Sequence, residues 1–396
     1  MANTIAKKTV NILGATGSIG RSTLDVIKAH CDVFQINVLT AHSNVAVLAQ
    51  QAIEFKASHA VIADKNLYQD LKTLLSGTNT QVHAGQDALV EAASINADIT
   101  MAAIVGTAGL RPTLAAIRQG NTVAFASKEC LVAAGQLMMD EVHKCGTSFL
   151  PVDSEHNAIF QVFEKDNKDA IKRLILTASG GPFRTWSKAD MEKATPQQAI
   201  AHPTWLMGAK ISVDSATLMN KALEVIEAVH LFGMSENKVD VIIHPQSLIH
   251  SMVEYNDGSI LSQMGPSDMR TPITNCLAWP NRMQTSGPMM DLQSLTSLTF
   301  EQPDLDRFKS LALVRDVLKG DPAQAVIFNA ANEIAVDAFL NNYLGFNDII
   351  DTIQSALDGI SSQSLKTLDD VIAYDVSCRK IVEENIKKVS AKISIK

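Results

Sequence analysis

Between residues 212 and 224 the chain reads Ser-Val-Asp-Ser-Ala-Thr-Leu-Met-Asn-Lys-Ala-Leu-Glu, which gathers hydrogen-bond donors and an acid within a few helical turns. The alternation of Ile211 and Val213 leads into a helix start that Asp214 or Ser215 is suited to cap. Ser215, Asn220 and Lys221 then offer hydroxyl, amide and ammonium donors near a positive helix end, an arrangement that suits a phosphate. Glu224 follows Asn220 at i, i+4 on one helical face and suits a cation.

A second oxygen cluster is Asp153-Ser154-Glu155-His156. Ser148 to Val152 before it reads as a short buried strand, which puts the acids at a strand's carboxyl end, where ligands collect in open α/β sheets. Continued strand geometry would point Asp153 and Glu155 the same way. With Glu224 they make three carboxylates, a ligand set for Mg²⁺ or Mn²⁺ rather than zinc, with Co²⁺ a further candidate.

A third feature opens the chain. Thr9 to Leu13 is a β-rich run, Gly14-Ala-Thr-Gly-Ser-Ile-Gly20 is a glycine turn, and Arg21 to His30 has helical spacing. That order lets backbone amides approach a pyrophosphate at a helix N-terminus. The next strand, Phe34 to Thr40, ends in His42-Ser43-Asn44 with no acid to meet a ribose 2′-hydroxyl, so NADP is favoured over NAD.

These groups need a scaffold, and the remaining strands and helices supply it. Strands are expected at Ala60 to Ala63, Ile99 to Val105, Thr122 to Ala126 and Ser148 to Val152, separated by helices as in a parallel doubly wound sheet. Ser127-Lys128-Glu129 follows one of them, placing Lys128 on the catalytic rim. Leu174 to Leu176, Val239 to Ile243 and Ile249 to Tyr255 suggest a second, mixed sheet. The Gly180-Gly181 hinge and the irregular stretch that follows, with His202, Trp205 and Met207, suit a lid over about 180–210. Residues 281–304 read as a linker. Helices are expected over Arg307 to Lys319, Ala323 to Leu340, Asn347 to Ile360 and Val371 to Val389, with Asn329-Ala-Ala-Asn332-Glu333 in a packing role.

The 396 residues allow two or three domains; 46% are hydrophobic and 19% charged, as in a globular protein. A net charge of −8 argues against nucleic-acid or anionic-membrane binding. The five scattered cysteines fit neither a zinc site nor a disulfide framework and point to a reducing cytoplasm. No apolar run approaches a membrane span.

In this order the chain resembles the 1-deoxy-D-xylulose 5-phosphate reductoisomerase family. The resemblance rests on GATGSIG at 14–20, SKE at 127–129, PVDSEHNAIFQ at 151–161, LTASGGPF at 176–183 and HPTWLMGAKISVDSATLMNKALE at 202–224. It continues through HPQSLIHSMVEY at 244–255, GPSDMRTPI at 265–273 and FNAANEIAVDAF at 328–339. It implies an α/β fold: a Rossmann-like NADPH-binding domain over 1–152, a central α/β catalytic domain over 153–280, and a small helical bundle over 305–396. It implies Asp153, Glu155 and Glu224 as metal ligands, and Ser179, Ser215, Asn220 and Lys221 around the substrate phosphate. Lys128, Glu155 and His202 would be catalytic, with Ser154, Lys128 and His202 on sugar hydroxyls or metal-linked oxygens.

NADPH would meet Thr16, Gly17, Ser18, Ile19, His42, Ser43, Asn44, Lys128, Glu129 and Met207. Trp205 and Met207 would close the lid, and the enzyme would be a homodimer acting on a small sugar phosphate. The family often has Asn where Ser127 stands, and Lys or Arg near Ser43. A plain NADP-dependent dehydrogenase would have no use for the carboxylate triad, and an NADPH-sensing regulator none for the lid.

Overall fold

The computed structural model describes residues 6–393. In chain order the elements are β1 (Lys8–Leu13), α1 (Ser18–Ala29), β2 (Phe34–Ala41), α2 (Val45–Glu54), β3 (His59–Ile62), α3 (Tyr68–Leu74), β4 (Gln81–Ala84), α4 (Gln86–Ala93) and β5 (Ile99–Ala102). Then come α5 (Leu110–Ile117), β6 (Thr122–Phe125), α6 (Lys128–Cys145), β7 (Ser148–Pro151), α7 (Ser154–Val162), β8 (Ile171–Ala178), α8 (Lys188–Met191) and α9 (Pro196–Ile200). They are followed by α10 (Ala209–Ala216), α11 (Met219–Phe232), β9 (Val239–Ile243), β10 (Ile249–Tyr255), β11 (Ile260–Met264) and α12 (Arg270–Ala278). The chain ends in α13 (Ser310–Lys319), α14 (Ala323–Leu340), α15 (Asp348–Gly359) and α16 (Leu368–Ile393).

Contact density divides the chain into two compact units. The first holds 1–130, 136–160 and 268–289; the second holds 131–135, 161–267 and 290–396. In the first, seven strands run in the order β4-β3-β2-β1-β5-β6-β7, each parallel to its neighbours. β5 and most of β1 are buried, as strands covered on both faces must be. The order reverses direction between β1 and β5, so the crevice beyond the end of β1 is the switch point where α/β sheets bind ligands. This is a Rossmann-like α/β fold, as expected.

In the second unit the order is β11-β10-β8-β9, with β8 parallel to β9 and antiparallel to β10, the expected mixed sheet. Its C-terminal part is helical, centred on α14, which is buried over most of its length. Thr367 and Asp370 cap α16 reciprocally: Asp370 N–H donates to Thr367 Oγ1 at 3.1 Å and Thr367 N–H to Asp370 Oδ2 at 2.9 Å. No helix of the described residues is long and apolar enough to cross a membrane.

Several details differ from the sequence-based expectations. β5 ends at Ala102 rather than Val105. The segment expected as a linker pairs back onto the sheet through a β-bridge, with Ile243 and Glu301 exchanging backbone hydrogen bonds of 2.9 Å. The segment expected as a lid carries two short helices, α8 and α9, the second started by a Thr195–Gln198 capping box with Pro196 at its first position.

Candidate active site

In the first unit the glycine turn closes the end of β1. Gly14 has φ +90°, and a Cβ there would stand 2.6 Å from the Ala103 carbonyl oxygen. A Cβ on Gly20 would stand 2.4 Å from Gly14 O. Gly17 is exposed and a Cβ on it would meet nothing nearer than 3.4 Å, so its surface is open. Gly17 is also the N-cap of α1 and brings no side-chain cap, which leaves the first amides of that helix to a ligand or water. Thr16 and Ile19 are half-buried and Ser18 is exposed. Beyond β2, His42, Ser43 and Asn44 are all exposed, and Asn44 commits its carboxamide oxygen to capping α2 through Val47 N–H at 3.3 Å.

Lys128 opens α6 and Glu129 follows it, both buried, and the Lys128 ammonium pairs with Asp153. The expectation that continued strand geometry points Asp153 and Glu155 the same way is corrected. β7 stops at Pro151 and α7 begins at Ser154, so both acids sit where the chain turns into a helix. Asp153 O accepts Asn157 N–H at 2.8 Å, and Ser154 donates its hydroxyl to Glu155 Oε2 at 2.5 Å. The positive end of α7 therefore faces both carboxylates. His156 Nδ1 stands 3.8 Å from Asp153 Oδ1.

In the second unit, residues 212–224 form two helices rather than one capped start. α10 ends at Ala216, Leu218 takes a left-handed conformation at φ +56°, and α11 begins at Met219. Neither Asp214 nor Ser215 caps a helix; Gly208 and Leu218 hold those positions, without side-chain caps. Thr217 stabilises the break by donating its hydroxyl to Val213 O at 3.1 Å. Asn220 and Lys221 both donate to Glu224, and Lys221 and Glu224 are buried together.

Ser179 lies just past β8, and Gly181 brings it close to α10: a Cβ on Gly181 would stand 2.6 Å from Ser215 O. Ser179 Oγ accepts Gly181 N–H at 3.1 Å and lies 2.9 Å from His202 Nε2. His202 Nδ1 accepts the backbone N–H groups of Trp205 at 2.9 Å and Thr204 at 3.2 Å. Its proton therefore sits on Nε2 and is donated to Ser179, whose own O–H is left to donate onward. Burial pushes the His202 imidazole pKa down, keeping this neutral form at pH 7. Trp205 and Met207 are half-buried, Leu206 is exposed, and the Trp205 ring centroid lies 6.0 Å from that of His250.

Sequence reasoning missed the partners of Asp214, and it left residues 329–333 to packing. Asn332 Nδ2 donates to Asp214 Oδ1 at 3.0 Å, and Lys210 Nζ meets Asp214 Oδ2 at 2.6 Å. Asn329 Nδ2 donates to Glu333 Oε1 at 2.9 Å, and Glu333 pairs with Arg379 of α16 at 2.8 Å. The available signal was polar residues inside an otherwise apolar helix, since buried polar groups demand partners.

Comparison with known proteins follows the same blocks. Residues 10–135 match the family model for 1-deoxy-D-xylulose 5-phosphate reductoisomerase, residues 149–232 that family's C-terminal domain model, and residues 264–381 the model described as DXP reductoisomerase C-terminal domain. Among curated relatives, the 1-deoxy-D-xylulose 5-phosphate reductoisomerase of Zymomonas mobilis is 55% identical over 94% of this chain and 96% of its own. That of Rhodospirillum centenum is 52% identical over 96% and 94%. The solved Zymomonas mobilis enzyme in complex with NADPH superposes with a TM-score of 0.91 at 52% identity, covering 96% of this chain and 99% of that one. A DOX-P reductoisomerase solved with NADPH, fosmidomycin and magnesium gives a TM-score of 0.93 at 41% identity over the same shares.

Proposed function

The chain belongs to the 1-deoxy-D-xylulose 5-phosphate reductoisomerase family, and on that premise we propose how its own residues divide the work. The enzyme rearranges and reduces 1-deoxy-D-xylulose 5-phosphate to 2-C-methyl-D-erythritol 4-phosphate in isoprenoid precursor biosynthesis, using NADPH and a divalent metal. Residues 1–152 take the cofactor, 153–280 the metal and substrate, and 305–396 support them, with 281–304 as the connection. Asp153, Glu155 and Glu224 each lend a carboxylate oxygen to Mg²⁺ or Mn²⁺. One observation carries this assignment: two of the three acids are matched by lysines with little exposure, Asp153 by Lys128 and Glu224 by Lys221. Oxygen-only donors of such charge fit a hard cation, and the fit is to the donor chemistry.

When bound, the metal polarises the ketone and neighbouring hydroxyl oxygens and NADPH supplies hydride. The chain's residues do the rest. Ser179, Ser215, Asn220 and Lys221 anchor the phosphate, so that binding energy remote from the reacting carbons orients them. Lys128, Ser154 and His202 Nε2–H hold sugar oxygens, and Trp205 and Met207 exclude water when the lid closes. Thr16, Gly17, Ser18 and Ile19 cradle the pyrophosphate, His42, Ser43 and Asn44 the 2′-phosphate, and Lys128, Glu129 and Met207 border the nicotinamide. The protein works as a cytoplasmic homodimer; its five cysteines are all free thiols, as a reducing compartment requires.

NADPH oxidation should require both the ketose phosphate and a divalent cation, and excess chelator should stop it. Glu224→Gln should keep NADPH affinity while metal affinity falls about 10–100-fold, with partial rescue at high Mn²⁺. Normal metal dependence in that variant would remove Glu224 from the site and leave Glu227, one turn along α11, as the candidate.

A further inference from the structure

α14 is buried over most of its length, yet it carries two wholly buried asparagines, Asn329 and Asn332. Each donates its amide to a carboxylate, and each leaves a buried carbonyl oxygen with no hydrogen-bond partner among the described residues. An unpaired buried acceptor is destabilising, so an apolar residue at 332 would pack better unless its N–H groups are needed. They serve Asp214, whose side chain is 1% exposed and needs both a counter-charge and hydrogen bonds at that depth. Lys210, one turn earlier on α10, supplies the charge. Asn332 supplies a donor from a different part of the chain. A second contact holds the same place: Ser310 of α13 donates its hydroxyl to Thr217 O at 2.8 Å, in a buried setting. Ser215 thus lies between two residues, Asp214 and Thr217, that are each fastened to the C-terminal helices.

We propose that Asn332 is a positioning residue for the substrate phosphate, acting through Asp214 to set Ser215 and, through Lys210, to hold the end of the lid. The inference rests on the assignment of Ser215 to the phosphate made above. Successive residues of a helix point about 100° apart. The face that carries Asp214 is therefore anchored while Ser215 looks elsewhere, and losing the anchor lets α10 turn or slide. Misplacing a binding group by an ångström can cost about a hundredfold.

The test compares Asn332→Ala with Asn329→Ala, which lies in the same helix with the same burial but is bonded to Glu333. Asn332→Ala should raise KM for 1-deoxy-D-xylulose 5-phosphate by about ten- to a hundredfold with NADPH affinity unchanged. Asn329→Ala should lower the melting temperature and leave KM alone. Asn332→Ser, which keeps a donor in place of the amide and leaves the Lys210–Asp214 pair intact, should recover part of the lost KM. A folded Asn332→Ala with normal KM overturns the inference, and so does an equal rise in Asn329→Ala. Should Asn332→Ala fail to fold, the near-isosteric Asn332→Leu decides: a raised KM with unchanged NADPH affinity supports the inference, and a normal KM or no folded protein overturns it. Ser215→Ala separates the two layers. If it leaves KM unchanged, the phosphate assignment itself fails; if it raises KM while Asn332→Ala does not, only the positioning role falls.

Discussion

Three glycines of one turn do three different jobs, and the letters alone do not say which. Gly14 needs its positive φ and Gly20 its closeness to Gly14 O, so a side chain at either would collide with backbone. Gly17 has ordinary φ of −74° and a Cβ there would make only van der Waals contact, so what it leaves open is ligand space. Gly17→Ala should therefore fold with little change in melting temperature while NADPH binding, measured by calorimetry, weakens about tenfold or more; each tenfold is about 1.4 kcal/mol. Normal NADPH affinity in that variant would move the pyrophosphate off this turn. The candidate site's residue types could be proposed from the letters because hydroxyls, amides, lysines and acids cluster near expected helix and strand ends. The Asp214 latch was not, since its carboxylate is held by Asn332, 118 positions away, and spacing along one helix reveals only the Lys210 half.

At the scale of elements, strands and helices with long apolar runs were legible: β1, β2, β6 and α14 lie within a residue or so of where the sequence puts them. β4 and β11 were not, because both are edge strands of four or five residues with few buried positions. The break at Leu218 was hidden because α10 and α11 each satisfy helical spacing, and only a left-handed residue separates them. The stretch proposed as a lid is the one whose behaviour follows most directly from one side chain. His202 holds it as a neutral imidazole that accepts two backbone N–H groups on Nδ1. A second proton must displace both. Its pKa lies below the usual 6.5, so the neutral form belongs to the folded lid. The sign follows: its contribution is complete above the unfolded pKa and is lost as pH falls through the lower folded value. The fluorescence contribution of Trp205 in substrate-free protein, taken as wild type minus Trp205→Phe, should change with a midpoint below pH 6.5. His202→Asn should abolish that midpoint. A midpoint that survives in His202→Asn belongs to His250 beside Trp205, and the lid would then not depend on His202.

For the whole molecule, what remains exposed is as informative as what is buried. The parallel sheet ends on one side at β4, whose Gln81 and His83 side chains are exposed, polar and poorly suited to association. The mixed sheet ends at β11, where Ile260 is 52% and Leu261 43% exposed along an edge with unpaired backbone groups. Open apolar edges invite pairing with another chain, and monomeric proteins usually blunt them with charge or proline. Between Ile260 and Met264 the chain has neither. A second copy is the partner always present at matching concentration, and two equivalent edges can pair about a twofold axis. Sedimentation should therefore find the wild type as a dimer, and Ile260→Lys/Leu261→Lys should shift it to monomer by adding like charges along the seam. Because both side chains are already exposed, the variant should keep its melting temperature apart from any share that comes from association. Gln81→Lys on β4, likewise an exposed edge position, is the control and should stay dimeric. A monomeric wild type would remove the dimer altogether. A dimer that persists in the double-lysine variant would move the interface away from β11.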